Sequence, residues 1–152
     1  MTNPIHDGIE QSTADGYRTL QAELDAIIVR FGADTGTIHL VEDGCLVLKA
    51  HSGVPPEVVR IVSSVPIGKG MAGLATQSNK AVFSCNIQVD RSGNVQPGAK
   101  RTGVNGAIVV PIRDYAGHAV GALGIGVCRE HAYSTEDTAS LILEAEKLAR
   151  LN

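Results

Sequence analysis

The sequence predicts an α+β domain in which a central, mostly antiparallel sheet of five to six strands carries helices on its faces. Two pairs of apolar segments are joined by tight turns and predict β-hairpins, and an amphipathic segment near each end of the chain predicts a helix. Because hairpins pair neighbouring strands antiparallel, this order favours α+β over parallel βαβ units. A chain of 152 residues, 43% of them hydrophobic, is long enough to form one domain with its own core.

The first predicted helix covers residues 12–31, where apolar side chains recur every three or four positions, and Gly32 is its predicted end. A strand follows over residues 35–42, and Asp43-Gly44 predicts the turn of a hairpin. Residues 45–50 then return antiparallel.

The middle of the chain predicts short elements. Pro55-Pro56 starts a short helix over residues 57–63, a glycine-rich turn and a second helix then reach Asn79, and residues 81–85 form a short strand. Residues 86–103 are polar and contain glycines and a proline, so we expect a loop that acts as a lid or binding loop.

The last third predicts a second hairpin, with strands over residues 107–112 and 118–128, and a final helix that begins at Ser134. Both strands are apolar nearly throughout, which indicates central strands covered on both faces. Three glycines of the last strand predict a bare strip, where a helix packs closely or a ligand has room, at Gly121, Gly124 and Gly126.

The glycine-rich turn carries the pattern G-x-G-x-x-G from Gly68 to Gly73 and leads into a helix. Free N–H groups at such a helix start can hold an anion or a ligand oxygen. The pattern also occurs in dinucleotide-binding sites, and Asp90 stands at about the right distance for the ribose, but a hairpin precedes the glycines instead of a parallel strand. A third reading is that the glycines only let the turn close.

Composition excludes several classes of function. The formal net charge is -3 and aromatic residues are 3% of the chain, which disfavours nucleic-acid binding. The first residues carry no leader pattern and no segment is long and apolar enough for a membrane, so we expect a cytoplasmic protein. Three widely spaced cysteines, Cys45, Cys85 and Cys128, encode neither a disulfide framework nor a metal site. We predict no cofactor.

Taken together, four segments resemble a GAF domain, a small-molecule-sensing relative of the PAS fold. They are T-G-T-I-H-L-V-E-D-G-C-L-V-L-K-A-H-S-G-V-P, V-P-I-G-K-G-M-A-G-L-A, G-A-I-V-V-P-I and A-V-G-A-L-G-I-G, in that order and spacing. The resemblance implies an N-terminal extension over residues 1–11 and a single GAF domain over residues 12–152. It also implies a ligand site between the sheet and its covering helices, lined by Gly70, Met71, Ala72, Gly73, Phe83, Cys85, Val109 and Gly124.

The resemblance implies several ligand classes. One stand-alone branch reduces free methionine sulfoxide with cysteines and acids, but the matching positions here are Ala72, Ala107, Gly124 and Gly126. Asn79-Lys80 and Phe83 match only the start of a cyclic-nucleotide motif. Haem or bilin binding would need a placed histidine or cysteine, and His39 and His51 are predicted to be surface or capping residues.

The leading hypothesis is a non-enzymatic sensor whose ligand, such as nitrate, sits at the turn from Gly68 to Gly73. The turn matches the pattern G-K-G-x-A-G of stand-alone nitrate-sensing GAF proteins, and the resemblance implies that such a domain signals through a separate protein, such as a sensor kinase. Lys100 and Arg101 either guide an anion or are a solvated charge pair of the loop, and the second reading is favoured. The alternatives are a dimeric interaction module, in which the terminal helices pair without a ligand, and a thiol-dependent reductase of methionine sulfoxide.

Overall fold

A computed structural model of the chain describes residues 19–90, 92, 94, 95, 100 and 102–151. The predicted N-terminal extension and the first turns of the predicted first helix lie outside these residues. So does part of the predicted lid, including Arg101.

The described elements follow the predicted order. They are α1 (residues 19–31), β1 Thr35–Glu42, β2 Cys45–Ser52, α2 Pro56–Val62, β3 Ser64–Pro66, α3 Gly70–Ser78, β4 Val82–Ser84, β5 Gly106–Arg113, β6 Ala119–Val127 and α4 Thr135–Ala149. Both hairpins are present, and their boundaries differ from the predicted ones by at most two residues.

The six strands form one sheet in the order β3-β2-β1-β6-β5-β4, and every neighbouring pair is antiparallel. This arrangement confirms the predicted α+β class. The two long hairpins meet where β1 pairs with β6, so β1 and β6 lie at the centre of the sheet. The predicted central position of β6 is therefore correct.

Local signals in the sequence explain the main turns and helix ends. Asp43 and Gly44 both have positive φ, 50° and 79°, as the two-residue hairpin turn requires. Gly32 follows α1 with φ 61°, in the left-handed region. At the start of α4, the Ser134 side chain accepts the backbone N–H of Asp137, and the Asp137 side chain accepts that of Ser134.

The strand β3 is absent from the sequence-based prediction, which placed only the start of the glycine turn there. It has three residues, and its pairing with β2, from Cys45 opposite Pro66 to Val47 opposite Ser64, defines it. Three residues are too few to show a period-two pattern. A proline is tolerated because β3 is at the edge of the sheet.

The hydrophobic core lies between one face of the sheet and the helices α1 and α4. Side chains from α1, β1, β2, β5, β6 and α4 form it, namely Leu20, Leu24, Ile27, Ile38, Leu40, Ala50, Ile108, Val110, Ile112, Leu123, Ile125, Leu141, Ala145 and Leu148. The opposite face carries α2 and α3. No helix in the described part of the chain is long and apolar enough to cross a membrane.

Candidate ligand cavity

A cavity of about 350 Å³ lies between the sheet and the two helices that pack on this face, α2 and α3. Its walls are mainly apolar. Residues from three sources line it: the strands (Thr35, Gly36, Thr37, His39, Ser64, Val65, Pro66, Ala107, Val109, Gly124, Ile125, Gly126), the helices with the residue before α3 (Val58, Ile61, Val62, Lys69, Gly70, Met71, Ala72), and the connecting segments (Val54, Ile87, Thr102, Val104).

The floor of the cavity is a row of residues paired across the three inner strands. Thr37 of β1 and Val109 of β5 are both opposite Gly124 of β6. A Cβ atom on Gly124 would lie 3.2 Å from both Thr37 Oγ1 and Val109 Cγ2, and one on Gly126 would lie 2.5 Å from Val104 Cγ1. Thr37 and Val109 therefore pack closely beside Gly124, and Val104 packs over Gly126, so the two glycines keep this part of the floor flat.

The predicted bare strip needs one correction. Gly121 does not line the cavity, because three positions separate it from Gly124 and successive strand residues face opposite sides of a sheet. A Cβ there would lie 2.3 Å from the backbone oxygen of His39, so Gly121 allows β6 to approach β1 closely. The bare strip consists of Gly124 and Gly126.

The start of α3 forms one wall. Three of the predicted site residues, Gly70, Met71 and Ala72, line the cavity. Among the described residues, no acceptor pairs with the backbone N–H groups of these three residues, and the preceding Lys69 makes no side-chain cap. Unpaired N–H groups at a helix start carry partial positive charge, so this wall suits an anion or a hydrogen-bond acceptor.

Gly73 lies close by but has a different role. It is buried and does not line the cavity. A Cβ on it would lie 2.5 Å from the Pro66 backbone oxygen, and its own carbonyl accepts the Gly68 N–H at 2.9 Å. Gly73 therefore allows the glycine turn to close against α3, which is the third of the readings given above for this pattern.

His39 is a buried residue of the cavity wall. A surface position is therefore wrong, whereas its hydrogen bond to the last residue of α2 agrees with the alternative prediction, a capping role. Its exposed fraction is 3%. Nε2 lies 2.8 Å from the backbone oxygen of Val62, at the end of α2, and Nδ1 is buried without a partner among the described residues. Burial lowers the pKa of His39, and the bond to Val62 opposes this effect only in part. The imidazole is therefore neutral near pH 7.

Phe83 and Cys85 do not line the cavity, in contrast to the other strand positions that the sequence predicted. Phe83 is 63% exposed, and Cys85 is exposed as well. The cause is the alternation of side chains along the strands. Phe83 is paired with Ile108, and paired residues lie on the same face of a sheet. Ile108 belongs to the hydrophobic core, so Phe83 is on that face, whereas Val109 is on the cavity face. Sequence reasoning missed Thr35, Thr37 and Ala107 as lining residues. They share the alternation of Val109 and Gly124, and this alternation identifies them once the strand pairing is known.

The GAF domain family model matches residues 16–150. The chain belongs to the GAF domain family. No curated protein is significantly similar to it in sequence.

Solved structures with this fold include both enzymes and other GAF domains. The type II free methionine-R-sulfoxide reductase of Thermoplasma acidophilum is 24% identical, with a TM-score of 0.76 over 92% of this chain and 94% of that one. The Neisseria meningitidis free methionine-R-sulfoxide reductase, solved with its substrate, is 20% identical, with a TM-score of 0.74 over 90% and 77%. The GAF domain region of a Geobacter sulfurreducens protein is 20% identical, with a TM-score of 0.80 over 95% and 97%. These likenesses show a shared fold.

The loop after β4 closes another side of the cavity in this GAF domain. Ile87 is buried, and its backbone N–H donates to the Asn105 oxygen at 2.7 Å. The Gln88 amide donates to the backbone oxygens of Lys100 and Val104 at 3.0 and 2.8 Å. The two ends of the loop are thus joined beside the cavity. Lys100 is exposed and does not line it.

The described lining contains no cysteine and no carboxylate. Cys85 and Cys128 are exposed, Cys45 is half-buried, and the three lie outside the lining. Within the described ranges, no cluster of histidine, cysteine or acidic residues could hold a metal ion. The polar side chains of the described lining are hydroxyls, one lysine and one imidazole, and the start of α3 adds backbone N–H groups.

Proposed function

We propose that this GAF domain is a non-enzymatic sensory module that binds a small, mainly apolar organic acid in the cavity above Gly124. The observation that carries the proposal is the juxtaposition of a largely apolar cavity with the unpaired N–H groups of Gly70, Met71 and Ala72. An acid group would rest on these N–H groups, and the apolar part of the ligand would fill the space over the sheet.

The size of the cavity supports an organic ligand over nitrate as the main occupant. Its volume of about 350 Å³ falls in the range of pockets that hold organic molecules, about 300–1,000 Å³. A nitrate ion at the start of α3 would leave the apolar walls, such as Val58 and Val109, without contacts. A carboxylate with a hydrocarbon body contacts both parts of the wall.

The charge of the lining supports an anion over a cation. Lys69 is the ionised side chain that lines the cavity among the described residues, and it precedes the start of α3. No described carboxylate is present to pair with an amino group. Helix polarity and the lysine therefore favour the same sign of ligand charge.

The resemblance to methionine sulfoxide reductases makes catalysis the main alternative. Thiol-dependent reduction of a sulfoxide requires a thiolate in contact with the substrate. Since all three cysteines lie outside the lining, the geometry supports binding without turnover better. Loss of methionine sulfoxide in the presence of a thiol reductant, abolished in a Cys85→Ser variant, would establish the enzyme instead.

Thermal unfolding with a ligand panel tests the proposal. The panel contains aryl and alkyl carboxylic acids, their methyl esters, nitrate and methionine sulfoxide. An acid at 100 times its Kd stabilises the fold by about 2.7 kcal/mol, which raises Tm by about 5–10 °C for a domain of this size. The matching esters, which lack the charge, should bind more weakly.

Cavity-filling variants locate the site. Ala72→Leu and Ala107→Leu place additional methyl groups in the cavity and should abolish the Tm increase. Ala139→Leu makes the same change at an exposed position of α4 and should leave binding intact. Acids that bind equally well to Ala107→Leu, or a panel with no active member, would contradict the proposed site.

A dimeric interaction module is a second candidate, because each helix of the outer layer exposes a large apolar side chain. Val29 of α1 is 81% exposed and Leu143 of α4 is 59% exposed. Light scattering after size exclusion tests this candidate. A dimer that Val29→Glu converts into a folded monomer would support pairing through α1, and a monomeric wild type would exclude it. A separate sensor kinase or regulator as signalling partner stays a prediction.

A further inference from the structure

The hydrogen bond between His39 and Val62 defines which nitrogen of the imidazole carries the proton. The Val62 backbone oxygen can only accept a hydrogen bond, and it lies 2.8 Å from Nε2. Nε2 therefore carries the hydrogen in the neutral ring. The other nitrogen, Nδ1, then has a free lone pair and can act only as an acceptor.

The Nδ1 atom is unusual because it is buried and no described residue donates a hydrogen bond to it. His39 is only 3% exposed, and it forms part of the cavity wall. Most buried polar side-chain atoms in proteins have at least one partner. An acceptor left unpaired on a residue of the cavity wall points to a donor on the ligand, and because Nδ1 has almost no accessible surface, that donor must displace the atoms that cover it.

The start of α3 and His39 thus present opposite requirements in one cavity. The N–H groups of Gly70, Met71 and Ala72 need an acceptor, and His39 Nδ1 needs a donor. The same cavity is also lined by apolar groups such as Val109 and by Gly124. The hydroxyl of Thr37 is beside Gly124, since it would lie 3.2 Å from a Cβ on that residue.

We propose that the ligand is a bifunctional organic acid, with a carboxylate on the start of α3 and an O–H or N–H group that donates a hydrogen bond to His39 Nδ1. Hydroxylated or amino-substituted aryl and alkyl carboxylic acids belong to this class. This inference rests on the proposed function, since it assumes an acid in the same cavity. It adds His39 as the residue that selects for a donor group.

Two substitutions separate the two hydrogen bonds of His39. In His39→Gln the longer side chain can place its amide near the position of Nε2 and keep a donor for Val62, while a methylene group stands near the position of Nδ1. In His39→Asn the shorter side chain can place its amide oxygen near Nδ1 but cannot reach Val62. Only the Asn variant should therefore retain an acceptor for the ligand.

The binding experiment uses acids that differ in a single group. The probes are para-hydroxyphenyl, para-methoxyphenyl and para-methylphenyl carboxylic acids, each with an acetate, propanoate or butanoate chain to vary the separation of the two groups. Calorimetry or thermal shift gives Kd. In the wild type, the best hydroxy acid should bind at least about 10-fold more tightly than its methoxy counterpart, which carries an acceptor but no donor.

The variants then assign that preference to His39. His39→Gln should bind the hydroxy and methoxy acids with equal Kd, and its affinity for the methyl acid should be unchanged. His39→Asn should keep part of the preference. Unfolding without ligand checks that each variant is folded. A preference that survives unchanged in a folded His39→Gln variant would overturn the assignment.

Failure of the inference and failure of the proposed function give different results. If acids bind but the hydroxy and methoxy acids have equal Kd in the wild type, the donor requirement is wrong and the acid site stands. If none of the acids binds, both are wrong. Long-range ¹⁵N–¹H spectra of the His39 ring give a readout without affinity: a proton on Nδ1, or an Nδ1 shift unaffected by a bound hydroxy acid, would overturn the inference alone.

Discussion

Replacing Gly73 with alanine tests whether the glycine turn owes its shape to close packing. Gly73 lies inside α3, where exchange of glycine for alanine ordinarily stabilises a helix by about 1 kcal/mol. Here the added Cβ would lie 2.5 Å from the Pro66 oxygen and 3.0 Å from the Gly68 nitrogen. Both are backbone atoms, so no side chain can rotate away from the new methyl group.

The expected net effect is therefore a loss of stability. Overpacking of this kind costs about 1–3 kcal/mol. Opening the turn would also weaken the bond from the Gly68 N–H to the Gly73 oxygen, which contributes about 1 kcal/mol. After the helix-propensity gain, we expect Gly73→Ala to lower the free energy of unfolding by about 1–3 kcal/mol and Tm by about 2–10 °C.

Urea unfolding followed by circular dichroism measures this change, and Ala139→Gly is the control. Ala139 is exposed in α4, so its change to glycine should cost about 1 kcal/mol from propensity alone. If Gly73→Ala proves as stable as the wild type or more stable, the close approach to Pro66 does not restrain the turn, and the packing argument is wrong.

Three further predictions concern single side chains. Asn79 has φ 57° at the end of α3, accepts a hydrogen bond from Arg113 Nε at 2.7 Å and donates one to the Gly117 oxygen at 2.9 Å. Asn79→Ala should lower the free energy of unfolding in urea by about 2–4 kcal/mol, and Asn79→Gly by about 1 kcal/mol less, because glycine adopts this backbone conformation freely. The pKa of His39 is lowered from 6.5, so the unfolded chain binds the proton more readily and stability should fall as pH decreases below 6.5, a slope that His39→Gln removes. Burial raises the pKa of Tyr133 from 10.0 to about 12, so stability should fall as pH rises above 10, and Tyr133→Phe should abolish this decline at little cost near pH 7, since the hydroxyl has no partner among the described residues.

The fold was predictable wherever a local signal requires one backbone conformation. Asp43-Gly44 required a hairpin turn, and Ser134 with Asp137 required a helix start, so these boundaries were correct to within a residue or two. The strand β3 was missed because its three residues have no pattern of their own. Only hydrogen bonding to β2, distant in sequence from β3 by the whole of α2, makes that segment a strand.

The candidate site was predictable only in part, because strand register decides which side chains share a face. Of the residues that the resemblance implied, Gly70, Met71, Ala72, Val109 and Gly124 lie in the cavity lining. Phe83 and Cys85 were not, since the pairing of β4 with β5 cannot be read from a short apolar segment. Whether any of these residues binds a ligand stays a prediction.

The two edges of the sheet have a consequence for the behaviour of the protein at high concentration. The edge strands are β3 and β4, and each has three residues, so β3 covers only Cys45–Val47 of β2 and β4 covers only Ala107–Val109 of β5. β3 also ends in Pro66, which has no N–H to offer a neighbouring strand. An approaching polypeptide would find few free backbone groups on β3 and β4 themselves. Self-association through the sheet would therefore use the outer edges of β2 and β5 that lie beyond these short strands.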